Sequence, residues 1–256
     1  MTMLTEINSS PIIEWGSGDK TLVFLHYFGG AAQSWQWVAQ QLPEMRCIAL
    51  NLPGFGGTPA PESPNLQQYT EAVSGAIASL ELQDYTLIGH SMGGKIALQV
   101  AAISHCPPQQ VVLIAPSPVT VEPMPESEKQ RMLNNHPSPD NAKTTLKNAT
   151  KQPLNDEQQA LMIETHQIVK NSAWRWWLRE GMNHSIADQV SQLGTPVTVL
   201  ASKDDPVIPY NVIETDVIDL IPHAQLISIE GIGHLIPLEA PDWVATQLRQ
   251  IISSPA

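Results

Sequence analysis

A serine flanked by glycines, Ser91, is the residue whose surroundings most clearly suggest chemistry. It lies in the pattern Gly89-x-Ser-x-Gly93, between an apolar run (85–88) that predicts a buried strand and an Ala- and Leu-rich run (95–102) that predicts a helix. A sharp strand-to-helix turn holds a serine hydroxyl clear of the backbone, and it needs small residues two places either side because strand and helix nearly touch. The pattern therefore predicts a nucleophilic serine, which requires an adjacent base to react.

The same stretch has a second interpretation. Gly89 to Lys95 fits most of the phosphate-binding pattern G-x-x-x-x-G-K, but residue 96 is Ile where that loop needs Ser or Thr for Mg²⁺. The phosphate loop is the weaker hypothesis. The decision between the two depends on whether a base, an acid and a second oxyanion donor occur elsewhere in the chain.

Two later strand ends carry the partners that a serine nucleophile needs. His234 lies in a glycine-flanked loop after the predicted strand 225–229, where a neutral imidazole can accept the serine proton. The histidine needs a carboxylate to fix its tautomer, and Asp204 and Asp205 both follow the predicted strand 196–200. We choose Asp205, because it starts the segment Asp-Pro-Val-Ile-Pro, and keep Asp204 as the alternative.

The oxyanion of an acyl-transfer intermediate needs two backbone N–H donors. Met92 directly follows the nucleophile, and Phe28 lies in the loop after the first buried strand, so these two residues are the predicted donors. Neighbouring side chains on a sharp turn point apart, so His90 either lines the pocket or packs behind it. The residues predicted to line a substrate pocket are Tyr27, His90, Trp174, Trp177 and Leu235.

Apolar runs and helical patterns alternate along most of the chain. This alternation predicts an α/β fold with a mostly parallel central sheet and helices on both faces. Ligands bind such sheets at the carboxyl ends of the strands, so Ser91, Asp205, His234 and the Phe28 loop are expected to meet at one edge. The predicted strands are 11–15, 21–25, 46–50, 85–88, 111–115, 196–200 and 225–229, and the predicted core helices are 34–42, 66–80, 95–102, 211–220 and 242–252.

The alternation stops between residues 117 and 185, where the chain is polar, punctuated by proline and without a strand signal. We predict a helical cap inserted into a core formed by residues 1–116 and 186–256. Its Trp and Met residues supply apolar surface, and Arg175 and Arg179 either pair with the body of the protein or meet a substrate carboxylate. The predicted cap helices are 126–134, 141–150, 156–170 and 173–182.

Composition excludes several classes of function. The 256-residue chain has a formal net charge of −12, which argues against a nucleic-acid partner. Its two cysteines have no metal or redox spacing, the first ten residues lack the features of a secretory signal, and no apolar run is long enough to span a membrane. We expect a cytoplasmic enzyme that has no metal or cofactor and whose partner is a small molecule.

Taken together, these motifs and the chain order Ser, Asp, His resemble the α/β-hydrolase fold superfamily, and within it the small capped serine esterases and carbon–carbon bond hydrolases. The resemblance implies a catalytic triad of Ser91, Asp205 and His234. Tyr27 departs from the family pattern, which usually has glycine there, and suggests either a different oxyanion loop or a side chain that reaches into the pocket. The matching stretches are 24–30, 51–56, 89–94, 205–209 and 233–234.

The predicted function is hydrolysis of a small or medium carboxylic ester through an acyl-enzyme on Ser91. A carbon–carbon bond hydrolase, a thioesterase or a perhydrolase would use the same three residues. A hypothesis of another class is a small-molecule receptor that retains a slow triad.

Overall fold

A single seven-stranded sheet forms the centre of the computed structural model, which describes residues 8–253. The strands are β1 (Ile12–Trp15), β2 (Thr21–Leu25), β3 (Arg46–Leu50), β4 (Tyr85–His90), β5 (Gln110–Ile114), β6 (Val197–Ser202) and β7 (Gln225–Ile229). Their order is β1-β3-β2-β4-β5-β6-β7, with β1 antiparallel to β3 and every other pair parallel. The predicted fold class, α/β with a mostly parallel sheet, is confirmed. Residues 1–7 and 254–256, which include most of the segment examined for a secretory signal, lie outside the described residues.

The helices fall between the strands and in one long insertion after β5. They are α1 (Gln36–Ala39), α2 (Leu66–Ser79), α3 (Met92–Ile103), α4 (Glu126–Asn134), α5 (Pro139–Ala149), α6 (Asp156–Ile168), α7 (Asn171–Arg179), α8 (Ala187–Val190), α9 (Tyr210–Ile213), α10 (Ile236–Glu239) and α11 (Pro241–Ser253). Short 3₁₀ turns occupy Ala32–Trp35 and Gly181–Asn183, and a π-helical turn, Glu214–Ile218, follows α9.

Both faces of the sheet are covered, which explains the continuous apolar runs. Along β2, Val23 and Leu25 belong to one hydrophobic cluster and Leu22 and Phe24 to another. Successive side chains of a strand point to opposite faces. A strand that is buried on both faces therefore has apolar residues at every position, with no alternation of polar and apolar residues. Helices α2 and α3 pack on the first face, and α1 and α11 pack on the second.

Helices α4 to α7 lie between β5 and β6, and α7 anchors this segment to the rest of the molecule. Trp174, Trp176 and Trp177 on α7 are buried in the same cluster as Val23 and Leu25. We refer to residues 117–185 as the cap segment. Its predicted boundaries, and the division of the chain into core and cap, stay a prediction.

The local differences from prediction are small and have physical causes. Helix α3 begins at Met92 rather than Lys95, directly after the nucleophile turn. The predicted helix 211–220 is a short α-helix that continues as a π-helical turn. Helices α8 and α10 were not predicted, because four-residue segments carry too little periodicity to detect. No helix within residues 8–253 combines the length and apolarity needed to cross a membrane.

Candidate active site

The turn that carries Ser91 is strained in the way a nucleophile elbow requires. Ser91 has φ 53° and ψ −117°, a region that residues other than glycine rarely adopt. A Cβ atom at Gly89 would lie 2.4 Å from the carbonyl oxygen of Gly93, and one at Gly93 would lie 2.5 Å from that of Leu25. The backbone of Ser91 is anchored to the end of β5, since its N–H donates to Ile114 O at 3.0 Å. The two glycines are therefore a steric requirement of the turn.

A chain of hydrogen bonds links Ser91 to His234 and Asp205. Nε2 of His234 lies 2.9 Å from Oγ of Ser91, and its Nδ1 lies 2.8 Å from Oδ2 of Asp205. All three side chains are buried. The network assigns the tautomer: Nδ1–H donates to the carboxylate, and Nε2 is left to accept the serine proton. The structure thus brings together three predicted residues in the arrangement that general-base activation needs.

Asp205, rather than Asp204, faces the imidazole. Oδ1 of Asp205 accepts hydrogen bonds from the N–H groups of Val207 at 2.7 Å and Ile208 at 2.9 Å, so both of its oxygens have partners. Asp204 turns the other way, and its Oδ2 accepts from the N–H of Gly231 at 2.7 Å. The geometry favours the first choice made from the sequence and leaves Asp204 to join two loops.

Glu239, which the sequence interpretation missed, holds the loop that carries His234. Its Oε2 accepts from the N–H of Gly233 at 2.9 Å and its Oε1 from that of Leu235 at 3.1 Å, one on each side of the histidine. Oε2 also accepts from the two backbone N–H groups of residues 151–152, at 2.7 and 2.8 Å. One carboxylate therefore ties the histidine loop to the cap segment.

The two histidines beside Ser91 have opposite electrostatic surroundings. Burial of His234 opposes its charged form, but the charge of Asp205 and the hydrogen bond to it raise the pKa of His234 above its ordinary value. Burial, and then the neighbouring His234, lower the pKa of His90 well below its ordinary value. Neutral His90 donates from Nε2 to the carbonyl oxygen of His234, 2.9 Å away. This contact braces the backbone of the candidate base.

Of the two predicted oxyanion donors, Phe28 lines the cavity above Ser91 and Met92 directly follows Ser91 as the first residue of α3. Within the described part of the chain, neither backbone N–H is engaged in a hydrogen bond. The Phe28 loop is shaped by a turn in which the N–H of Gly30 donates to Tyr27 O at 3.0 Å and Gly29 has φ 90°. The N-terminus of α3 begins at Met92, and its dipole suits negative charge at this point.

Tyr27, the residue that departs from the family pattern, fits because the left-handed conformation falls two residues later, at Gly29. Its ring lies 5.1 Å from that of His90, centroid to centroid. Its hydroxyl donates to Sδ of Met162 in α6 at 2.8 Å. Tyr27 therefore connects the oxyanion loop to the cap segment.

A cavity of about 400 Å³ opens above Ser91 and His234, between the sheet edge and the cap segment. Of the residues predicted to line a substrate pocket, Tyr27, Trp177 and Leu235 are in the wall of this cavity. His90 and Trp174 are not in its wall. His90 points away from Ser91, as neighbours on a sharp turn do, and Trp174 is fully buried behind Phe28, with ring centroids 4.4 Å apart.

Two buried polar residues of the cap segment, Glu122 and His166, line the cavity and were not predicted. Glu122 is 6% exposed, and its buried Oε2 has no hydrogen-bond partner within residues 8–253. Burial raises the pKa of Glu122, while the adjacent Ser117 hydroxyl and the Lys95 ammonium oppose this. His166 is also buried, both of its ring nitrogens are unpartnered in the described chain, and burial lowers its pKa to about 3. No sequence pattern marks either residue, because their burial depends on how the cap packs.

Lys95 joins α3 to both ends of the cap segment. It is fully buried, and its ammonium donates to the carbonyl oxygens of Thr120 at 2.9 Å, His184 at 3.0 Å and Met182 at 3.4 Å. Burial lowers the pKa of Lys95 to about 8. The side chain that suggested a phosphate loop in the sequence is therefore directed away from the turn and into the seam with the cap.

Neither Arg175 nor Arg179 lines the cavity. The Arg175 guanidinium donates to the side chain of Asn171, one helical turn earlier. Within residues 8–253, no group of three or more His, Cys, Asp or Glu side chains is arranged to hold a metal ion.

Comparisons with known proteins agree with the motifs and the fold. A model of the alpha/beta hydrolase family matches residues 22–247. The chain belongs to this family. A *Haemophilus influenzae* protein named as an esterase/lipase is 26% identical over 241 residues, covering 91% of this chain and 83% of that relative.

Solved structures of other proteins share the fold. An esterase from *Exiguobacterium antarcticum* superposes with a TM-score of 0.87 at 18% identity, covering 95% of each chain. A meta-cleavage product hydrolase from *Pseudomonas fluorescens* IP01 superposes with a TM-score of 0.80 at 20% identity, covering 94% of this chain and 93% of the other. At these identities the likeness concerns the fold alone.

Proposed function

We propose that this protein is a serine hydrolase that cleaves small or medium carboxylic esters through an acyl-enzyme on Ser91. The observation that carries the proposal is the hydrogen-bonded chain from Ser91 through His234 to Asp205, which opens onto a cavity of about 400 Å³. Pockets of this size suit small organic ligands. The esterase/lipase relative supports the same reaction class.

The proposed reaction proceeds in two acyl transfers. Oγ of Ser91 attacks the ester carbonyl carbon while Nε2 of His234 accepts its proton, and Asp205 stabilises the imidazolium that results. The N–H groups of Met92 and Phe28 donate to the tetrahedral oxyanion. The carbon–oxygen bond to the alcohol then breaks as His234 returns the proton to the leaving oxygen.

Deacylation repeats these steps with water as the nucleophile. His234 removes a proton from water, the hydroxide attacks the acyl carbon, and collapse of the second intermediate releases the acid and restores the serine hydroxyl.

We also propose a cytoplasmic location. The two cysteines, Cys47 and Cys106, are unpaired in the structure, as is usual in a reducing compartment.

The test is a chain-length series of p-nitrophenyl esters, from acetate to decanoate, measured with wild type and Ser91→Ala. We expect turnover of the shorter esters that Ser91→Ala lowers by at least about 10³-fold. Ser104→Ala is the matched control, because it replaces the serine at the opposite end of the same helix, α3. Equal turnover by wild type and Ser91→Ala would contradict the proposal.

Two other functions can be distinguished by extending the same assay with a diketone substrate and a binding measurement. A carbon–carbon bond hydrolase would turn over a vinylogous diketone faster than any ester, and the meta-cleavage product hydrolase of the same fold makes this substrate worth including. A receptor would bind a small molecule saturably and show negligible turnover of every ester.

A further inference from the structure

The wall of the cavity has an uneven set of charges. The carboxyl groups of Glu122 and Glu128 belong to it, whereas no Lys or Arg side chain of the described chain does. Arg131 lies close by, but it is hydrogen-bonded to Glu128. Lys95 directs its ammonium to three backbone carbonyl groups in the seam behind the wall. A bound molecule therefore meets carboxyl groups and no free cation.

Glu122 is the carboxyl group that a bound molecule would feel most. Glu128 is paired with Arg131, so its charge is largely compensated. Among the described residues Glu122 forms no ion pair and its Oε2 has no hydrogen-bond partner, although the Lys95 ammonium is near enough to oppose the rise in its pKa that burial causes. Its backbone is fixed, because its N–H donates to Met182 O at 2.9 Å.

A carboxyl group in this position is expensive to bury unless something uses it. Buried polar atoms in folded proteins nearly always have partners, and an unpartnered one lining a ligand cavity has capacity left for a ligand. The mechanism proposed above gives Glu122 no task in proton transfer. The placement of Glu122 is therefore better explained by the ligand groups it attracts, which are hydrogen-bond donors and cations, and by the anions it repels.

We propose, in an inference that rests on the proposed function, that Glu122 determines which substrates the site accepts according to their charge. The site selects esters that are uncharged or positively charged next to the ester group, including those that offer a hydroxyl or ammonium donor. It rejects esters that carry a second, free carboxylate. In a site with reduced dielectric, a like charge a few ångströms away lowers binding by a factor on the order of 100.

The experiment compares kcat/KM for matched esters in wild type and Glu122→Gln. It uses a pH-stat at mildly alkaline pH to favour the ionised form of Glu122, because burial raises the pKa of this carboxyl group. At the acyl end the pair is ethyl pentanoate and monoethyl glutarate. At the alcohol end it is pentyl butyrate and its ω-carboxy counterpart, together with choline butyrate and its uncharged neohexyl isostere. Charge is varied at both ends because either half of the ester can face Glu122.

Wild type is expected to prefer the uncharged ester to the anionic one by about 100-fold at one end or both. Glu122→Gln keeps the shape and removes the charge, so the ratio should fall at least about tenfold, and the preference for choline butyrate over its neohexyl isostere should fall with it. Glu126→Gln is the matched control: Glu126 is an exposed carboxylate of the same cap segment outside the cavity wall, so the ratio should stay within about twofold of wild type.

A wild-type ratio near one at both ends overturns the inference without reference to any variant. A large ratio that Glu122→Gln leaves intact overturns it as well. Both results are distinct from failure of the proposed function, in which wild type hydrolyses none of the uncharged esters faster than Ser91→Ala does.

Discussion

The two walls of the cavity differ in how completely their polar groups are bonded. On the sheet side, Ser91, His234 and Asp205 each have hydrogen-bond partners, and Glu239 accepts two hydrogen bonds from the histidine loop and two from the cap segment. On the cap side, Glu122 and His166 keep buried atoms without partners in the described chain. A fully bonded wall is preorganised for one reaction, whereas an incompletely bonded wall is open to a ligand. The comparison separates the residues that we expect to govern the catalytic rate from those that we expect to govern the choice of substrate.

The largest effect should come from Asp205→Asn on the sheet side. The amide cannot stabilise the imidazolium of His234 and favours the wrong tautomer, so kcat should fall by about 10²–10⁴-fold. Asp204→Asn is the matched control, because among the described residues its carboxylate accepts from the backbone N–H of Gly231 and not from the imidazole. A larger loss from Asp204→Asn than from Asp205→Asn, measured by steady-state kinetics, would reverse the assignment of the acid.

Lys95→Met tests the seam between the two walls. The variant leaves three carbonyl oxygens at both ends of the cap segment without their buried donor, which should lower the free energy of unfolding by about 2–4 kcal/mol. The measurement is urea unfolding at neutral pH, with Lys143→Met as the control, because Lys143 is exposed and forms only a surface ion pair. Equal stability of the two variants would show that Lys95 does not hold the cap.

Glu239→Ala should reduce kcat by roughly 10- to 100-fold, because the histidine loop loses the acceptor that aligns it. Glu239→Gln keeps an acceptor oxygen and should recover part of the loss. Glu230→Gln is the control, since Glu230 forms an exposed pair with Lys203 at 2.7 Å. If Glu239→Ala changed stability alone and left kcat at the wild-type value, Glu239 would be a fold residue without a positioning role.

The smallest expected effect is on the pH dependence of kcat/KM. His234 must be neutral to accept the serine proton, and the charge of Asp205 raises its pKa above the ordinary value of a histidine, so the acid limb of kcat/KM should lie at higher pH than that of an ordinary histidine. Because Asp205 stabilises the imidazolium, the residual activity of Asp205→Asn should show this limb at lower pH than wild type. An acid limb that is the same in both enzymes would place the titrating group elsewhere.

The sheet-side wall could be predicted from sequence because its residues sit at strand ends with local signatures. Ser91 is framed by glycines that the turn requires on steric grounds, and His234 lies in a glycine-flanked loop after a strand. The parallel sheet then brings distant strand ends to one edge. The choice between Asp204 and Asp205 was closer, since both follow β6 and only the direction of each side chain separates them.

The cap-side wall could not be predicted in the same way. Glu122 lies in a proline-rich stretch without periodicity, and its burial depends on packing against the 3₁₀ turn that contains Met182, sixty residues along the chain. Trp174 is predicted to line the pocket because the Trp and Met residues of the cap supply apolar surface, but in the structure it stacks behind Phe28. Periodicity shows which residues are apolar, whereas tertiary packing decides which of them reach the cavity.

The most direct test of the account is covalent labelling of the native protein with a fluorophosphonate, followed by peptide mapping. We expect one label per chain on the peptide that contains Ser91, no label in Ser91→Ala, and slow labelling in His234→Ala, because the hydroxyl loses its base. Labelling of Ser91→Ala to the same extent as wild type, or a label mapped to another residue, would contradict the account.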